Sequence, residues 1–171
     1  QDKPYRGGFE PAFNNQKTTP NIIQGKIPKE LKGKLACNGP GRIRIRDRQY
    51  GHWFDGDGYI TLLELDGERQ SVSFQASYVP SERYLAQELY DQNHRTQRVP
   101  NLTFSGPWTM AGTGKWYENL FRFPTNPANT ATMWLPPLSN KSSHEKLQPR
   151  LFALCEGGHP IELHPQTLEL D

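Results

Sequence analysis

Apolar and polar residues alternate over two neighbouring stretches of the chain, residues 59–65 and 70–78, which are separated by Asp66-Gly67. Successive side chains of a strand point to opposite faces, so this period of two predicts two half-buried strands. Asp-Gly between two such runs predicts a hairpin turn whose two central residues both take positive φ. From residue 34 onward we therefore predict short strands separated by turns.

A second hairpin is predicted near residue 160. The apolar run 151–155 is followed by the turn-forming residues 156–160, and the chain returns over 161–163. Because Glu156 follows the apolar run directly, we expect its carboxylate at the inner, buried end of a strand, where it needs a partner.

The remaining segments are less regular. Residues 1–21 are rich in Pro, Gly and Asn without an apolar period, so they predict an irregular arm that needs a surface to lie against. The main part of the chain is expected to be residues 22–171. Residues 28–31, ended by Gly33, predict a single helical turn. The polar stretch 81–97 is compatible with a short helix or an extended excursion, whereas the polar insert 139–148 predicts a surface loop.

Composition favours an all-β chain. Hydrophobic residues make up 34% of the 171 residues, and glycine and proline contribute 15 each, a mixture typical of many short strands and turns. Disordered chains are poor in aromatic residues, whereas Phe, Trp and Tyr account for 11% of this sequence and are spread along it. The length fits one domain or part of a larger one.

The charge indicates no particular partner. The formal net charge of +2 gives no field that would draw the chain to nucleic acid, so none is expected as a partner. No apolar run approaches the roughly 20 residues that span a bilayer. We therefore expect no transmembrane segment and a soluble or peripheral chain, with peripheral membrane contact left open.

Four arginines alternate along residues 42–48. Arg42, Arg44, Arg46 and Arg48 would share one side of a continuous strand. A solvent-facing row on an edge strand, where charges block further pairing, is the interpretation we favour. Binding of phosphate or of an anionic lipid is the alternative.

Acidic residues alternate in the string His-Trp-Phe-Asp-Gly-Asp-Gly at 52–58, as they do in a calcium-binding EF-hand loop. The match to an EF-hand loop fails at later ligand positions. Counted from Asp55, the fifth position is Tyr59, and the twelfth is Asp66, which lies in a predicted turn. We therefore interpret the string as a tight turn. Its glycines permit positive φ, and Asp55 and Asp57 accept hydrogen bonds from nearby amides.

The densest group of potential metal ligands is Glu156, His159, Glu162 and His164. On the predicted hairpin, side chains alternate between faces and the turn separates the two histidines, so a complete local metal site is not expected. His159 and His164 are interpreted as solvated turn and strand-end residues. An imidazole N–H of a metal-bound histidine from elsewhere would suit Glu156 as a partner.

Five segments of the chain form a further pattern. They are Gly-Lys-Ile-Pro-Lys-Glu-Leu-Lys-Gly at 25–33, Asn-Gly-Pro-Gly at 38–41, His-Trp-Phe-Asp-Gly-Asp-Gly at 52–58, Asn-Pro-Ala-Asn-Thr at 126–130 and Leu-Cys-Glu-Gly-Gly-His-Pro at 154–160. Together, and in this order, they resemble the carotenoid cleavage oxygenase family. Each segment is weak alone, but five in order across residues 25–171 make the resemblance specific.

The resemblance implies an all-β fold, part of a seven-bladed β-propeller, of which this chain would form about two to three blades. It also implies that the complete fold holds a non-haem Fe²⁺ with four histidines, three of them oriented by glutamates, and cleaves a polyene double bond with dioxygen. Glu156 matches the first of those glutamates, and Thr130 matches a position beside the vacant coordination side of the iron. His52, Asp55 and Asp57 match structural residues rather than ligands.

The family pattern also leads to an expectation about what this chain lacks. The iron-binding histidines follow the segment around Glu156, so all four are expected beyond Asp171, and this chain alone is expected to bind no iron and to be inactive. The first hypothesis is the N-terminal part of a carotenoid or apocarotenoid cleavage dioxygenase, with the remaining blades or another protein chain covering its open sheet edges. The alternative is a non-catalytic, truncated subunit, structural or pigment-binding, in a larger complex. The expected location is the cytoplasm or a plastid or thylakoid surface.

Overall fold

The computed structural model describes residues 10–12, 15–45, 48–50, 53–93, 125–137 and 148–170. The helical elements within these ranges are a short 3₁₀ helix, Trp53–Asp55, and one α-helix, α1 (Glu82–Asn93). The strands within them are β1 (Gln16–Thr18), β2 (Lys32–Arg42), β3 (Arg44–Ile45), β4 (Arg48–Gln49), β5 (Asp57–Asp66), β6 (Ser71–Tyr78), β7 (Ala131–Leu135), β8 (Arg150–Leu154) and β9 (Ile161–Leu163). The expectation of a chain dominated by short strands is confirmed.

The first sheet has the strand order β1-β6-β5-β2, and all of its neighbours are antiparallel. β5 lies in the middle, and its side chains Ile60 and Leu62 are buried, as the alternating pattern requires. The pairing of β2 with β5 runs from Lys32 opposite Asp66 to Arg42 opposite Asp57, with a register shift between Pro40 and Arg42. A bulge of this kind bends the strand at its end.

The predicted hairpin at Asp66-Gly67 is confirmed, but the predicted turn is wrong. The loop has four residues, 67–70, and its positive φ is at Gln70 (51°) rather than at both central positions. Asp66 accepts a hydrogen bond from the Arg69 amide (3.0 Å) and stabilises this longer loop. A Cβ on Gly67 would lie 1.8 Å from the Pro28 carbonyl oxygen, so glycine is required there for close packing.

The turn at residues 28–31 and part of the N-terminal arm pack against this sheet. The Leu31 amide donates to the Pro28 carbonyl (3.0 Å), so the single turn is present, but β2 begins at Lys32 and Gly33 therefore lies within a strand. Within the arm, Gln16–Thr18 forms the edge strand β1 against β6 instead of remaining irregular. The division between residues 1–21 and 22–171 stays a prediction.

The second main sheet has the order β7-β8-β9, and β8 with β9 confirms the predicted second hairpin. β2 of the first sheet meets β7 of the second, where the Thr132 hydroxyl donates to the Ala36 carbonyl (3.0 Å). Apolar side chains from both sheets and from the turns beside them form one buried cluster, which places the core between the sheets. Its members are Ala36, Ile60, Leu62, Val79, Ala128, Leu151, Ala153, Leu163 and Leu168.

The polar stretch after β6 forms a helix, the first of the two alternatives considered for it. Ser81 caps α1, because its hydroxyl oxygen accepts from the Tyr84 amide (3.1 Å) and its carbonyl from the Leu85 amide (2.9 Å).

Among the described residues, no helix is long and apolar enough to cross a membrane. The insert predicted at 139–148 lies, except for Gln148, outside the described residues.

Candidate functional site

Three of the five sequence motifs contact a fourth, the segment 126–130. The Asn38 side-chain amide donates to the carbonyls of Ala128 (2.8 Å) and Ala131 (3.2 Å). From β5, the Gly58 amide donates to the Pro127 carbonyl (2.8 Å). The Asn126 side chain donates to the His159 carbonyl (2.8 Å), which ties in the 154–160 motif. Segments far apart in sequence are thereby held against one short stretch of backbone.

The backbone of this segment is tightly constrained. Ala128 has a φ of 48°, an uncommon conformation for a residue with a Cβ. Its amide donates to the side-chain oxygen of Asn126 (2.9 Å), which supports the turn. A Cβ on Gly58 would lie 2.1 Å from the Ala128 carbonyl oxygen, so only glycine allows β5 to approach this closely.

Asn129 connects the segment to the 3₁₀ turn. Its side-chain amide donates to the carbonyls of Phe54 (2.6 Å) and Gly56 (2.7 Å), and the residue is only 6% exposed. The Phe54 and Gly56 carbonyls, at the end of the turn, therefore both accept hydrogen bonds from the amide group of this buried residue.

The two residues predicted to lie near a metal centre are brought together. The Thr130 hydroxyl lies 3.0 Å from Oε2 of Glu156, and the Thr130 amide donates to the Leu154 carbonyl (3.0 Å). The expectation that Glu156 is buried is wrong for this chain, since the residue is exposed. Glu156 stands two residues past the end of β8, in the hairpin turn, and an apolar run before a residue does not determine what covers it.

The other members of the acidic and histidine group do not join this pair. His159 is exposed, and His164 is half-buried with its Nδ1 accepting from the Gln166 amide (3.3 Å). Glu162 forms a two-pronged ion pair with Arg150 across β8 and β9, and hydrogen bonding from Arg150 lowers the pKa of that carboxyl. Within the described ranges, no three His, Cys, Asp or Glu side chains are grouped so that they could hold a metal ion. His52, His94 and His144 lie outside those ranges.

Asp57 is the centre of a buried ionic network that the sequence did not reveal. Its carboxylate is fully buried and pairs with Arg42 Nε (2.8 Å) and Arg83 Nη2 (2.9 Å). The Tyr50 hydroxyl also donates to it, at 3.2 Å. Burial raises the pKa of Tyr50, so its hydroxyl remains a protonated donor. The prediction that Asp57 accepts hydrogen bonds from backbone amides is therefore wrong, because its partners are side chains.

Arg42 likewise overturns the predicted row of solvent-facing arginines. It binds Asp57 and Glu88, and its guanidinium lies 4.7 Å from the ring centroid of Tyr84. Burial lowers the pKa of Arg42, but attraction and hydrogen bonding to Asp57 and Glu88 outweigh it and raise the pKa above its usual value. β2 ends at Arg42, and Arg44 separately pairs with Glu10, so no continuous strand aligns the row. The side chains at positions 46 and 48 lie outside the described set.

Arg83 and Gln87 join the network from α1. The Arg83 guanidinium also donates to the Asp55 carbonyl, and the Gln87 amide donates to the Tyr50 hydroxyl (2.6 Å). In the sequence, these residues were part of a polar stretch with no further signal. The only hint is that Arg83 and Gln87 are four residues apart, a spacing that places two side chains on the same face of a helix.

Comparison with known proteins gives consistent matches. Residues 9–170 match the family described as retinal pigment epithelial membrane protein. The chain is 32% identical over 148 residues to the apocarotenoid-15,15'-oxygenase of Synechocystis, covering 85% of this chain and 26% of that protein. It is 30% identical over 148 residues to the chloroplastic carotenoid cleavage dioxygenase 7 of Arabidopsis thaliana, covering 86% of this chain and 21% of that protein.

A solved structure matches over nearly the whole chain. The cobalt-substituted Synechocystis apocarotenoid oxygenase superposes with a TM-score of 0.72 and 28% identity, covering 96% of this chain and 30% of the other. In each of these three matches, the chain spans less than a third of the other protein's length.

Proposed function

We propose that this chain, which belongs to the retinal pigment epithelial membrane protein family of carotenoid oxygenases, serves in the cleavage of a carotenoid or apocarotenoid by dioxygen. The resemblance drawn from the five motifs is confirmed, and so is the all-β, partial-propeller fold. The chain corresponds to the N-terminal part of a carotenoid dioxygenase. The activity of the whole protein and the roles of individual residues are what we propose.

The hydrogen bond between Thr130 and Glu156 carries the proposal. One carboxylate oxygen of Glu156, Oε2, lies 3.0 Å from the Thr130 hydroxyl, and the other, Oε1, has no hydrogen-bond partner within the described part of the chain. A carboxylate fixed at one oxygen and free at the other suits an N–H donor from outside, such as the imidazole of a metal-bound histidine. We infer that Glu156 orients such a histidine.

The described residues of this chain fit a supporting role at a metal rather than the role of ligands. Because the described residues group no three metal ligands, the iron of the proposed site would be held by histidines from outside the described ranges. When bound, ferrous iron would supply the means to bind and activate dioxygen. Glu156 would hold one imidazole in a fixed orientation and tautomer, and Thr130 would hold Glu156 and stand beside the vacant coordination side.

Exposed apolar side chains support the proposed need for covering partners. Phe54 is 62% exposed and Leu35 is 59% exposed, and the neighbouring Trp53 is 46% exposed. Remaining propeller blades or another protein chain would bury these surfaces and the open sheet edges. The relatives act on carotenoids and apocarotenoids by name, and such apolar substrates are consistent with peripheral contact at a membrane surface in the cytoplasm or in a plastid.

Replacing Glu156 with glutamine is expected to lower iron affinity and cleavage rate by about 10-fold to 100-fold, the range usual for residues that orient metal ligands. Glutamine keeps the size of the side chain and removes its charge, so the imidazole loses its anionic partner. Iron content, measured by mass spectrometry of the metal, and aldehyde release from an apocarotenoid would be recorded on the full protein that carries this chain.

The matched control is Glu162→Gln, on the neighbouring strand of the same hairpin, where the carboxylate pairs with Arg150. We expect iron content and cleavage to change less than twofold, because the Glu162 carboxylate bonds to Arg150 and not to Thr130 or Glu156. Unchanged iron affinity and cleavage in Glu156→Gln would refute the proposed role. A native complex that contains this chain but no iron would instead favour a non-catalytic subunit.

A further inference from the structure

We propose that Asn129 is a positioning residue, which sets the Thr130 hydroxyl toward Glu156 and links this pair to the 3₁₀ turn at Trp53–Asp55. The inference rests on the proposed function, because it concerns how the Thr130–Glu156 pair is held for work at the metal. Asn129 itself touches neither a ligand nor a metal in this assignment.

The orientation of the Asn129 amide follows from its partners. Its nitrogen lies 2.6 Å from the Phe54 carbonyl oxygen and 2.7 Å from the Gly56 carbonyl oxygen. Both carbonyls can only accept hydrogen bonds, so the NH₂ group must face them and use both of its protons. The side-chain oxygen Oδ1 must then face the other way, toward Thr130.

Thr130 is consequently placed between two acceptors. Its hydroxyl lies 3.0 Å from Glu156 Oε2 and 3.3 Å from Asn129 Oδ1. One hydroxyl carries one proton, so the shorter contact to Glu156 receives it. Asn129 therefore holds Thr130 through the adjoining backbone, which its amide group ties to the Phe54 and Gly56 carbonyls. The Thr130 methyl group is thereby held in a fixed direction as well. Loss of the Asn129 amide would free Thr130 to turn away from Glu156.

The anchor on which Asn129 depends is itself rigid. The Gly56 amide donates to the Trp53 carbonyl (3.0 Å), which closes the turn, and Arg83 binds the Asp55 carbonyl and the buried Asp57. A Cβ on Gly56 would lie 2.8 Å from the Pro40 side chain, so the turn is also closely packed. A continuous set of contacts thus runs from the buried ionic network through Asn129 to Thr130.

Gln70 offers a matched comparison for a side-chain amide that is only a structural tie. Its nitrogen donates to the Ile27 carbonyl (2.7 Å) and to the Gly67 carbonyl (2.5 Å), which joins two backbone segments as Asn129 does. It stands at the hairpin end of β5, whereas Asn129 contacts the turn before the first residue of that strand. A purely structural role for Asn129 predicts that the two residues behave alike.

The test compares Asn129→Ala with Gln70→Asn in the full protein that carries this chain. Asparagine at position 70 still tolerates positive φ but withdraws the amide by one methylene group. Both variants are expected to lower the denaturation midpoint. Only Asn129→Ala is expected to lower iron affinity, by about 10-fold, and to reduce kcat more than it raises KM. Equal losses of iron affinity in the two variants would overturn the proposal.

A double substitution tests whether Asn129 acts through Thr130. If it does, Asn129→Ala causes little further loss of iron affinity in a protein that already carries Thr130→Val, a change that keeps the branched shape and removes the hydroxyl. Additive losses from the two substitutions would mean that Asn129 acts by another route, against the proposal.

A structural readout separates failure of this inference from failure of the proposed function. In a crystal structure of Asn129→Ala, the distance from Thr130 Oγ1 to Glu156 Oε2 is expected to exceed about 3.5 Å, beyond direct hydrogen bonding. A pair that keeps its hydrogen bond would overturn the positioning role even if the wild-type protein cleaves carotenoids. A separated pair in a protein that binds no iron would support the positioning role and count against the proposed function alone.

Discussion

Replacing Asp57 with alanine is expected to lower the free energy of unfolding by about 4 kcal/mol, within the range for breaking a buried ion pair at one partner. The carboxylate is fully buried between Arg42 and Arg83, and the Tyr50 hydroxyl donates to it. Without it, two guanidinium groups would remain close together in a site with little water. The mutual repulsion and desolvation of these cations are the physical source of the loss.

Urea denaturation of the full protein, followed by tryptophan fluorescence and far-UV circular dichroism, would measure this effect. The control is Glu64→Gln on the same strand β5, where the carboxylate is half exposed and lies 3.8 Å from Lys34. We expect the control to lose less than about 1 kcal/mol, because exposed pairs contribute little. Similar losses of unfolding free energy in the two variants would show that the contribution of the network to stability does not depend on its burial.

The hairpins were predictable because their signals are local. Alternation of apolar residues identified β5 and β6, and an apolar run followed by turn residues identified β8 and β9. The form of the first turn was not predictable in this way. Gly67 is selected by its contact with Pro28, a residue distant in sequence, and Gln70 takes the positive φ instead.

The ionic network escaped prediction because its members come from separate elements. Asp57 begins β5, Arg42 ends β2, and Arg83 lies in the first turn of α1. Each residue alone looked like an ordinary polar position, and charge alternation around Arg42 suggested a solvent-facing row. Only the register of β2 against β5 brings Arg42 opposite Asp57.

The candidate site was predictable in part. Glu156 and Thr130 were identified through family resemblance, and they are hydrogen-bonded in the structure. Their supports, Asn38 and Asn129, belong to motifs that the resemblance named, but the order of motifs in a sequence does not tell which carbonyl each amide binds. The burial expected for Glu156 was wrong for the same reason, since coverage of a turn depends on distant segments.

Replacing Gly58 with alanine is expected to destabilise the protein by about 3 kcal/mol, the upper part of the usual range for overpacking. The added Cβ would lie 2.1 Å from the Ala128 carbonyl oxygen and 3.0 Å from that of Pro127. Both obstacles are backbone atoms, so no side-chain rotation can relieve the overlap. The Gly58 amide also donates to the Pro127 carbonyl, which prevents β5 from withdrawing without losing a hydrogen bond.

The same substitution should disturb the candidate site as well as the fold. Because Ala128 is two residues before Thr130, a displaced segment 126–130 would separate Thr130 from Glu156, and affinity at the proposed iron site should fall together with stability. Gly39→Ala is the control, since its Cβ would meet nothing within 4 Å and Gly39 pairs with Tyr59, the residue next to Gly58. Alanine at a compatible position costs little or stabilises slightly. If Gly58→Ala unfolds at the same urea concentration as Gly39→Ala, the close approach of β5 to the 126–130 segment is not a constraint on this fold.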